Sequence, residues 1–349
     1  MGIKNLTSII KHNAPQGIAK VHLSEYRGRV IAIDTSIYMY KYMYNGNYLD
    51  GFVKQILRLF RNNITPLYIF DGKPPDEKKE ILKDRKEKRD ILTAKKEELE
   101  TLLSNIENTD VGDTDMGTDP LSLLNTVVEE PLDSGMNKDQ LTQELQKITK
   151  KIIKITSEDV NKIKKLMTLF GVPYIVSNGE AEDLCSQLCK EGRVYGCLSE
   201  DTDILANGGC RFIRDFNSNN DYVTEYTLDV ILTHLTLTYN QFIDMCILCG
   251  CDYTGKIGGI GPVNAYKYIQ LYETIEAIIE NIKGGTLKKH NVPDKFDYVK
   301  ARELFTMVNT TTYDESVFKL SAINSSELID FVDINCTLST IHTKVIKKM

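Results

Sequence analysis

The sequence contains no apolar run close to the roughly 20 residues that a membrane span requires. Its N-terminal residues are amphipathic and lack the continuous apolar core of a signal peptide. These two absences argue against an integral membrane protein and against a secreted one. We therefore expect an intracellular protein with no membrane partner.

Cysteine is sparse, with 8 residues in a chain of 349, and no histidine lies close to either cysteine cluster. The two clusters are Cys185 with Cys189, and Cys246 with Cys249 and Cys251. So few cysteines do not make a disulfide scaffold. The second cluster could be a thiolate zinc site. Because it lies in an apolar run, we favour buried, reduced thiols in a reducing compartment.

Lysine and arginine are absent from residues 97–137, which contain eleven acidic side chains. The net charge of the chain is −6, and it becomes +5 when this stretch is left out. The acidic balance therefore does not exclude nucleic-acid binding, since the acid is concentrated in one segment and basic segments flank it. Residues 103–137 are rich in Asp, Gly, Thr, Ser and Asn, and we predict a flexible insertion there.

Two segments, 29–34 and 66–71, are predicted as buried strands that each end in an aspartate. Between them, residues 49–62 have apolar side chains at helical spacing. Strand, helix, strand is the unit of a parallel sheet, so we predict an α/β fold with a central, mostly parallel sheet flanked by helices. Further predicted elements are a strand at 193–198 and helices at 76–101, 138–170, 240–250 and from about 262.

Seven acidic side chains stand in short motifs along the chain: Asp34, Asp71, Glu180, Glu182, Asp201, Asp203 and Asp252. A lone aspartate at a strand end is more often a helix cap or a turn former. Three of these motifs, however, follow predicted strands. The carboxyl ends of parallel strands meet at one edge of a sheet, where the sites of α/β proteins form.

Carboxylates brought together repel one another unless cations lie among them. Oxygen ligands without histidine or thiolate select Mg²⁺ or Mn²⁺. Two such ions suit an in-line displacement at phosphorus. The acidic residues therefore predict metal-dependent hydrolysis of a phosphodiester.

The motifs that contain these acids resemble those of the flap endonucleases, a family of structure-specific 5′ nucleases. The likeness rests on Met-Gly-Ile-Lys-Asn-Leu, Val-Ile-Ala-Ile-Asp, Phe-Asp-Gly-Lys-Pro-Pro, Glu-Ala-Glu, Ser-Glu-Asp-Thr-Asp and Leu-Cys-Gly-Cys-Asp-Tyr, in family order. It implies one nuclease domain over 1–340 and a short tail at 341–349. Within that domain it implies an N-terminal region at 1–100, a helical cap or arch at 76–165, an internal region at 166–270 and a helix–two-turn–helix element at 240–270.

The resemblance also implies roles for individual residues. One metal group would be Asp34, Asp71, Glu180 and Glu182, and the second Asp201, Asp203 and Asp252, with two Mg²⁺ ions that Mn²⁺ can replace. Catalytic roles are implied for Gly2, Lys78, Arg85 and Tyr40: a free amine near the site after removal of Met1, two cations that stabilise charge on the phosphate, and an aromatic ring that stacks beside the cut.

Two of these roles have plainer alternatives. Lys78 and Arg85 are seven residues apart and would share one helix face, but acids interleave with the bases there, as on an ordinary solvated helix. Tyr40 has neighbours Tyr38, Tyr42 and Tyr44, and such a stripe is more often helix packing.

DNA contacts are implied at two further places. In the helix–two-turn–helix element, Gly258, Gly259 and Gly261 would let the backbone approach a phosphate, Lys256 and Lys267 would add contacts, and backbone carbonyls would hold K⁺. In the cap, the basic lining for a single strand would be Lys150, Lys151 and Lys154.

Two spacings depart from the family. The stretch from Asp34 to Asp71 is shorter than usual, which leaves the 3′-flap preference open. The stretch from Arg85 to Glu180 is longer by about the acidic segment, which would be a cap tip or a mimic of nucleic acid that covers the site. We find no Gln-x-x-Leu-x-x-Phe-Phe motif near the C-terminus, so recruitment by a sliding clamp is not expected.

The sequence therefore predicts a monomer that cuts branched DNA with a 5′ single-stranded flap, in replication and repair. An exonuclease or junction resolvase of the same superfamily and a ribonuclease remain alternatives. A non-catalytic junction-binding factor is a rival of another class, although all seven acidic positions are filled. The absence of tryptophan and the abundance of Ile, Lys, Asn and Tyr suit an AT-rich genome. We expect a nuclear location in a eukaryotic cell, and the location stays open for a virus.

Overall fold

The structure is a computed structural model and describes residues 2–109, 138–308 and 310–348. The chain divides into two compact units, one formed by Met1–Lys79 with Ile155–Met349 and the other by Glu80–Lys154. Among the described residues, no helix has the length and apolar character that crossing a membrane would need.

A seven-stranded sheet lies at the centre of the larger unit. Its strands are β1 (Ile18–His22), β2 (Val30–Asp34), β3 (Thr65–Phe70), β4 (Tyr174–Val176), β5 (Gly196–Leu198), β6 (Arg211–Arg214) and β7 (Tyr222–Thr227). They are ordered β1-β7-β6-β5-β2-β3-β4. The five strands from β6 to β4 pair in parallel, and β7 and β1 add an antiparallel edge. The predicted α/β fold with a mostly parallel sheet is confirmed.

Helices surround this sheet. They are α1 (Leu6–Asn13), α2 (Thr35–Tyr44), α3 (Tyr48–Arg61), α6 (Ser157–Leu169), α7 (Ala181–Lys190), α8 (Asp203–Ala206), α9 (Leu228–Leu235), α10 (Tyr239–Cys249), α11 (Pro262–Tyr272), α12 (Ile275–Lys283), α13 (Tyr298–Thr306), α14 (Ser325–Asn335) and α15 (Thr340–Ile346). Strand residues alternate between two cores: Ile31 and Ile33 belong to one and Ala32 to the other. The sheet is therefore buried on both faces, as expected of parallel strands.

The smaller unit contains two helices, α4 (Lys79–Thr109), which starts at the unit boundary, and α5 (Lys138–Lys151). They pack through a small apolar cluster that includes Leu99, Leu141 and Ile148. The sequence placed a flexible insertion at 103–137, but α4 continues to Thr109, so the first part of that prediction is wrong. Leu102 and Leu103, just past the predicted end, are good helix formers, and Leu103 packs against the cluster that joins α4 to α5. The remainder, 110–137, lies outside the described residues.

The single helix predicted at 138–170 is two helices. Thr156 caps α6 through a capping box, in which its side chain accepts from the amide of Asp159 and its own amide donates to the Asp159 carboxylate. A capping box marks a helix start. The β-branched residues just before it, at 152–156, do not favour continuing a helix.

Candidate metal centre

Four carboxylates come together because four neighbouring parallel strands end at one edge of the sheet. Asp34 is the last residue of β2, and Asp71 follows β3 directly. Glu180 follows β4 on the outer side of β3, and Asp201 follows β5 on the other side of β2. The prediction that strand-end acids meet at one sheet edge is confirmed for Asp34, Asp71 and Asp201, whereas β4, which precedes Glu180, was not predicted.

The other three acids lie at or near the ends of helices. Glu182 lies in the first turn of α7 and Asp203 is the first residue of α8. Asp252 lies just after α10. These three acids therefore come to the site from separate parts of the chain.

The pKa values show that the acids interact. Burial raises the pKa of Asp34 to about 7, and the charges of Asp71 and Asp201 add to the effect. Burial also raises the pKa of Glu182 well above its usual value, with Glu180, Asp201 and Asp34 as like-charged neighbours. Such carboxylates are poised to release protons when a cation arrives.

The second group behaves in the same way. Burial raises the pKa of Asp203, and the charges of Asp201 and Asp252 contribute. Burial raises the pKa of Asp201 too. All seven predicted acids therefore belong to one electrostatic cluster, which links Asp203 to Glu180 as well.

A lysine ammonium lies among these carboxylates. Lys78 is 7% exposed, and its Nζ is 2.6 Å from the Glu180 carboxylate and 3.4 Å from Glu182 Oε1. Burial alone lowers the pKa of Lys78, but Glu182 and Glu180 more than offset it, so the pKa is raised. The Tyr253 ring lies under the ammonium at 5.0 Å, and its hydroxyl donates to Glu180 at 3.0 Å.

Hydrogen bonds fix the carboxylates that follow the strands. Ser199 Oγ donates to Asp34 Oδ2 at 3.0 Å, and the Ala181 amide donates to Asp71 Oδ1 at 2.8 Å. The Asp203 amide donates to Asp201 Oδ1 at 3.1 Å. One side-chain hydroxyl and two backbone amides therefore position these acids before any ligand binds.

The donor set fits hard divalent cations. It consists of carboxylates, several with raised pKa values, and the buried Oδ1 of Asp203 accepts no hydrogen bond from the described residues. As the side chains stand, no three ligating groups in the described parts of the chain close around a single point. The cation found among them is the ammonium of Lys78.

Gly2 lies against the second acidic group. A Cβ on Gly2 would be 2.0 Å from Asp201 Oδ1 and 2.9 Å from Asp203 Oδ1. Its φ is +85°, in the region that favours glycine. The N-terminal backbone is therefore close to these carboxylates, as the sequence predicted.

We expect Gly2→Ala to lower the cleavage rate of flap DNA by roughly tenfold or more, an effect of about 1.4 kcal/mol, because the methyl group must displace Asp201 or Asp203. Gly28→Ala is the matched control, since Gly28 also has a positive φ but open space around it. Equal losses in the two variants would trace the effect to backbone strain alone.

The four tyrosines of α2 divide into two pairs. Tyr38 is fully buried and Tyr42 packs beside it, with ring centroids 5.7 Å apart. Tyr40 and Tyr44, one turn apart on another face, are 40% and 52% exposed. Packing therefore accounts for Tyr38 and Tyr42, and exposure leaves Tyr40 able to meet a ligand.

The predicted basic pair does not lie on one α-helix. Lys78 ends a short 3-10 turn, and α4, which includes Arg85, begins at the next residue. The two prolines just before this turn delay the helix start. The side chain of Arg85 is exposed within the smaller unit, as are those predicted to line the cap, Lys150, Lys151 and Lys154.

The predicted helix–two-turn–helix element is formed by α10, residues 250–261 and α11. Gly258 and Gly261 have open space where a Cβ would lie, so the backbone is accessible there. Gly259 has a φ of +76° and packs against His290, whose Nδ1 is 2.9 Å from the carbonyl oxygen of Gly258. His290 thus contacts the turn at Gly258 and Gly259, and the space next to Gly258 and Gly261 is open.

The two lysines predicted for this element are both exposed, but they have different surroundings. Lys267 lies on α11. Lys256 folds over Gly250, and burial, followed by the neighbouring Lys4, lowers its pKa. Lys4 therefore lies beside Lys256, a proximity that was not predicted from the sequence.

Two further residues of the site were also missed. Ser199, which orients Asp34, precedes the Ser-Glu-Asp-Thr-Asp acids and could have been found from that motif. Asp183 follows Glu-Ala-Glu and accepts from Asn207 Nδ2 at 2.7 Å, which ties α7 to α8. Nothing in the sequence pairs Asp183 with Asn207.

A carboxylate cluster at the carboxyl edge of an α/β sheet, next to a helix–two-turn–helix element, defines a nuclease-type site. The family described as the XPG N-terminal domain matches residues 1–91, and the XPG I-region matches residues 171–252. Flap endonuclease 1-A of Sorghum bicolor is 34% identical over 95% of this chain and 82% of its own length. Flap endonuclease 1 of Cryptosporidium muris is 33% identical over 93% of this chain and 66% of its own length.

Solved structures share the fold. The catalytic core of Rad2 with a DNA substrate has a TM-score of 0.71 at 18% identity and covers 99% of this chain and 98% of that one. The junction-resolving enzyme GEN1 with product DNA, Mg²⁺ and Mn²⁺ has a TM-score of 0.58 at 16% identity and covers 95% of this chain and 72% of that one. The chain belongs to the flap endonuclease family, which confirms the structure-specific nuclease function and the replication and repair setting predicted from the sequence.

Proposed function

We propose that this chain hydrolyses one DNA phosphodiester near the base of a 5′ flap and that the reaction depends on Mg²⁺. The observation that carries the proposal is the electrostatic cluster of seven carboxylates at one sheet edge, two of which, Glu180 and Glu182, bind the buried ammonium of Lys78. Bound divalent ions would activate the attacking water and stabilise the leaving oxygen. Mn²⁺, an ion of similar ligand preference, would replace Mg²⁺.

The acids would act as two groups. One would be Asp34, Asp71, Glu180 and Glu182, and the other would be Asp201, Asp203 and Asp252. Ser199 and the backbone amide of Ala181 would hold Asp34 and Asp71 in place. Gly2 would bring the N-terminal amine beside the second group.

Lys78 would change partners during the reaction. Its ammonium now neutralises Glu180 and Glu182. Glu180 and Glu182 would also help to hold a divalent cation, and with the cation bound the Lys78 ammonium would be available to face the scissile phosphate. Arg85 would supply a second positive charge to the same phosphate.

The helix–two-turn–helix element would hold the duplex. The open backbone at Gly258 and Gly261 suits close approach of a phosphate, together with the first amides of α11. Lys256 and Lys267 would add charge, Gly259 would form the turn, and backbone carbonyl oxygens of the element would bind K⁺. Lys150, Lys151 and Lys154 would guide the single strand.

A substrate panel tests the proposal. Nicked, gapped, single-flap, double-flap and four-way DNA, and an RNA flap, are compared with purified protein in Mg²⁺, in Mn²⁺ and in a chelator. We expect the flaps to be cut fastest and the chelator to stop cleavage. Faster cutting of the four-way junction would favour a resolvase, and stepwise removal from a nick would favour an exonuclease.

Lys78→Met is expected to lower the single-turnover cleavage rate by about 100-fold, the effect of removing one preorganised charge from a transition state. Methionine keeps most of the length of the lysine's apolar stem but carries no charge over the Tyr253 ring. Lys79→Met is the matched control, because Lys79 is the next residue but is exposed and bound to Asp76. Similar losses for both lysines would show that the buried ammonium has no special part.

Tyr40→Ala is expected to weaken productive binding or cleavage by roughly 10- to 100-fold, since stacking of a base on an aromatic ring contributes about 1–3 kcal/mol. Tyr40→Phe should retain most activity. Tyr44→Ala changes a ring of α2 that is more exposed than Tyr40 and should have a smaller effect. A larger effect at Tyr44 would assign the stacking role to Tyr44, one helical turn further along α2.

The remaining proposals concern the setting of the reaction. We propose that the protein acts as a monomer, without a sliding clamp, and in the nucleus where its host is a eukaryotic cell. Mass measurement in solution with and without flap DNA checks the oligomeric state. A clamp-dependent rise in the cleavage rate would contradict the second proposal.

A further inference from the structure

The helix that carries Asp203 is only one turn long. It is α8, with four residues from Asp203 to Ala206. A helix of this length is not stable by itself, so its direction depends on contacts with its neighbours. Asn207 follows its last residue, and the Asn207 amide donates to the Asp203 carbonyl oxygen at 2.8 Å, which closes the turn. The placement of Asn207 therefore bears directly on the placement of Asp203.

The side chain of Asn207 joins α8 to α7. Its Nδ2 donates to Asp183 Oδ1 at 2.7 Å, and Asp183 is next to Glu182 in the first turn of α7. A second bond joins the same two helices, because Ser186 Oγ donates to the Ile204 carbonyl oxygen at 3.2 Å. The Asp183–Asn207 bond thus links the neighbour of one predicted metal ligand to the residue that closes the turn begun by another.

Both members of this pair carry a cost in the metal-free protein. Asn207 is 4% exposed, and its Oδ1 accepts no hydrogen bond from the described residues. A buried polar atom without a partner costs about 1–3 kcal/mol. Asp183 adds an eighth acid beside the cluster, and burial and the charge of Glu180 act against its ionised form. Apolar side chains could join the two helices without these costs, which indicates that the hydrogen bond itself serves the site.

We propose that Asp183 and Asn207 are positioning residues that hold the two proposed metal groups at their working separation. The inference rests on the proposed two-metal site. Glu182 belongs to one group and Asp203 to the other, and both lie on helices, so the sheet does not fix their spacing directly. Two ions that act on one phosphate lie about 3.5–4 Å apart. The pair acts through Glu182 and Asp203 and does not itself bind the ions.

The first measurement is electron paramagnetic resonance of Mn²⁺ bound to the full chain without DNA. Two Mn²⁺ ions roughly 4 Å apart give a spin-coupled signal, so the spectrum reports their separation without any cleavage. We expect a coupled pair in the unaltered chain. In Asn207→Ala we expect the coupling to be lost and Mn²⁺ to bind about 10-fold more weakly or worse. An unchanged coupled pair in Asn207→Ala would overturn the proposal.

Further variants separate the hydrogen bond from the charge. Asp183→Asn removes the charge but keeps an oxygen that can accept from Asn207, so the coupled pair should persist, whereas Asp183→Ala should lose it. Asn207→Asp alone places two carboxylates against each other and should lose the pair. Combining Asn207→Asp with Asp183→Asn reverses donor and acceptor and should restore it. Equal losses in Asp183→Asn and Asp183→Ala would assign the effect to the charge and contradict the positioning role.

Cleavage and stability complete the test. Asn207→Ala should need about 10-fold more Mg²⁺ or worse for half of its maximal single-turnover rate. Gln187→Ala, which removes a 2.7 Å hydrogen bond to Glu191 within α7, is the matched control and should need as much as the unaltered chain. Urea unfolding in a chelator measures the fold, and lower stability of Asn207→Ala with an unchanged Mg²⁺ requirement would reduce the pair to packing. Cleavage by the unaltered chain in a chelator would instead contradict the proposed function.

Discussion

Replacing Asp201 by alanine is expected to stop cleavage of flap DNA while leaving DNA binding in place. Asp201 interacts with acids of both groups, since it affects the pKa of Asp34, Glu182 and Asp203. Loss of its carboxylate should therefore weaken the binding of both proposed ions. A metal ion contributes several kcal/mol to such a reaction, so we expect a decrease of about 10³-fold or more in the single-turnover rate.

The stability of the same variant separates lost chemistry from lost structure. Burial raises the pKa of Asp201, so the ionised side chain costs free energy in the metal-free protein at neutral pH. Asp201→Ala should therefore be no less stable than the parent without metal and should gain less from added Mg²⁺. Asp229→Ala, which removes an exposed acid of α9, is the control. Undiminished cleavage by Asp201→Ala would refute the metal assignment.

The strand-end acids could be predicted from the sequence because two local patterns coincide there. Asp34 and Asp71 each end a short apolar run, and a helix of clear periodicity lies between them. Parallel pairing then follows, and it brings the two aspartates to one edge. The same reasoning found β5 and the acids after it.

The partners of Lys78 could not be predicted in this way. Glu180 is distant in the sequence, and the lysine precedes the helix that its spacing to Arg85 had suggested. The antiparallel pair of β1 with β7 was missed as well, because it joins Ile18 to Tyr226 across most of the chain. The local pair of β6 with β7 was also not predicted. Such contacts depend on tertiary packing, which local periodicity does not encode.

The tyrosines and cysteines show an intermediate case. Helical spacing separates Tyr38 and Tyr42 from Tyr40 and Tyr44, but it does not say which pair faces the core. The sequence likewise grouped Cys189 with Cys185, one turn away, whereas the Cys189 thiol donates to the backbone carbonyl of Tyr195, just before β5, at 3.7 Å. Helical spacing therefore groups the side chains that share one face of a helix, but the groups that they contact depend on neighbouring segments of the fold.

The carboxylate cluster that serves the reaction is a source of instability without its cations. Lys78 relieves part of the repulsion, but the pKa values of Asp34, Glu182 and Asp203 remain raised beside it. The fold thus holds negatively charged carboxylates close together, and only bound cations would neutralise them fully. Stability and metal binding should therefore be linked through the protons of these groups.

The metal-free protein is expected to lose stability as the pH rises from about 4 to about 7. Asp34 has a pKa of 3.8 when exposed and about 7 in the fold. Since the folded value is the higher one, its contribution to stability is fully present below pH 4 and is lost as the pH rises through 7. The difference corresponds to about 4 kcal/mol for this group.

Urea unfolding at several pH values, in a chelator and in Mg²⁺, measures this linkage. Asp34→Asn keeps the side-chain shape but cannot ionise, so its free energy of unfolding relative to the parent should increase between pH 4 and 7 in the chelator. Mg²⁺, which binds the folded and deprotonated form, should stabilise the parent most above pH 7 and the variant much less. Parallel pH profiles for the two proteins, or equal stabilisation by Mg²⁺, would show that Asp34 neither stores this charge nor binds the ion.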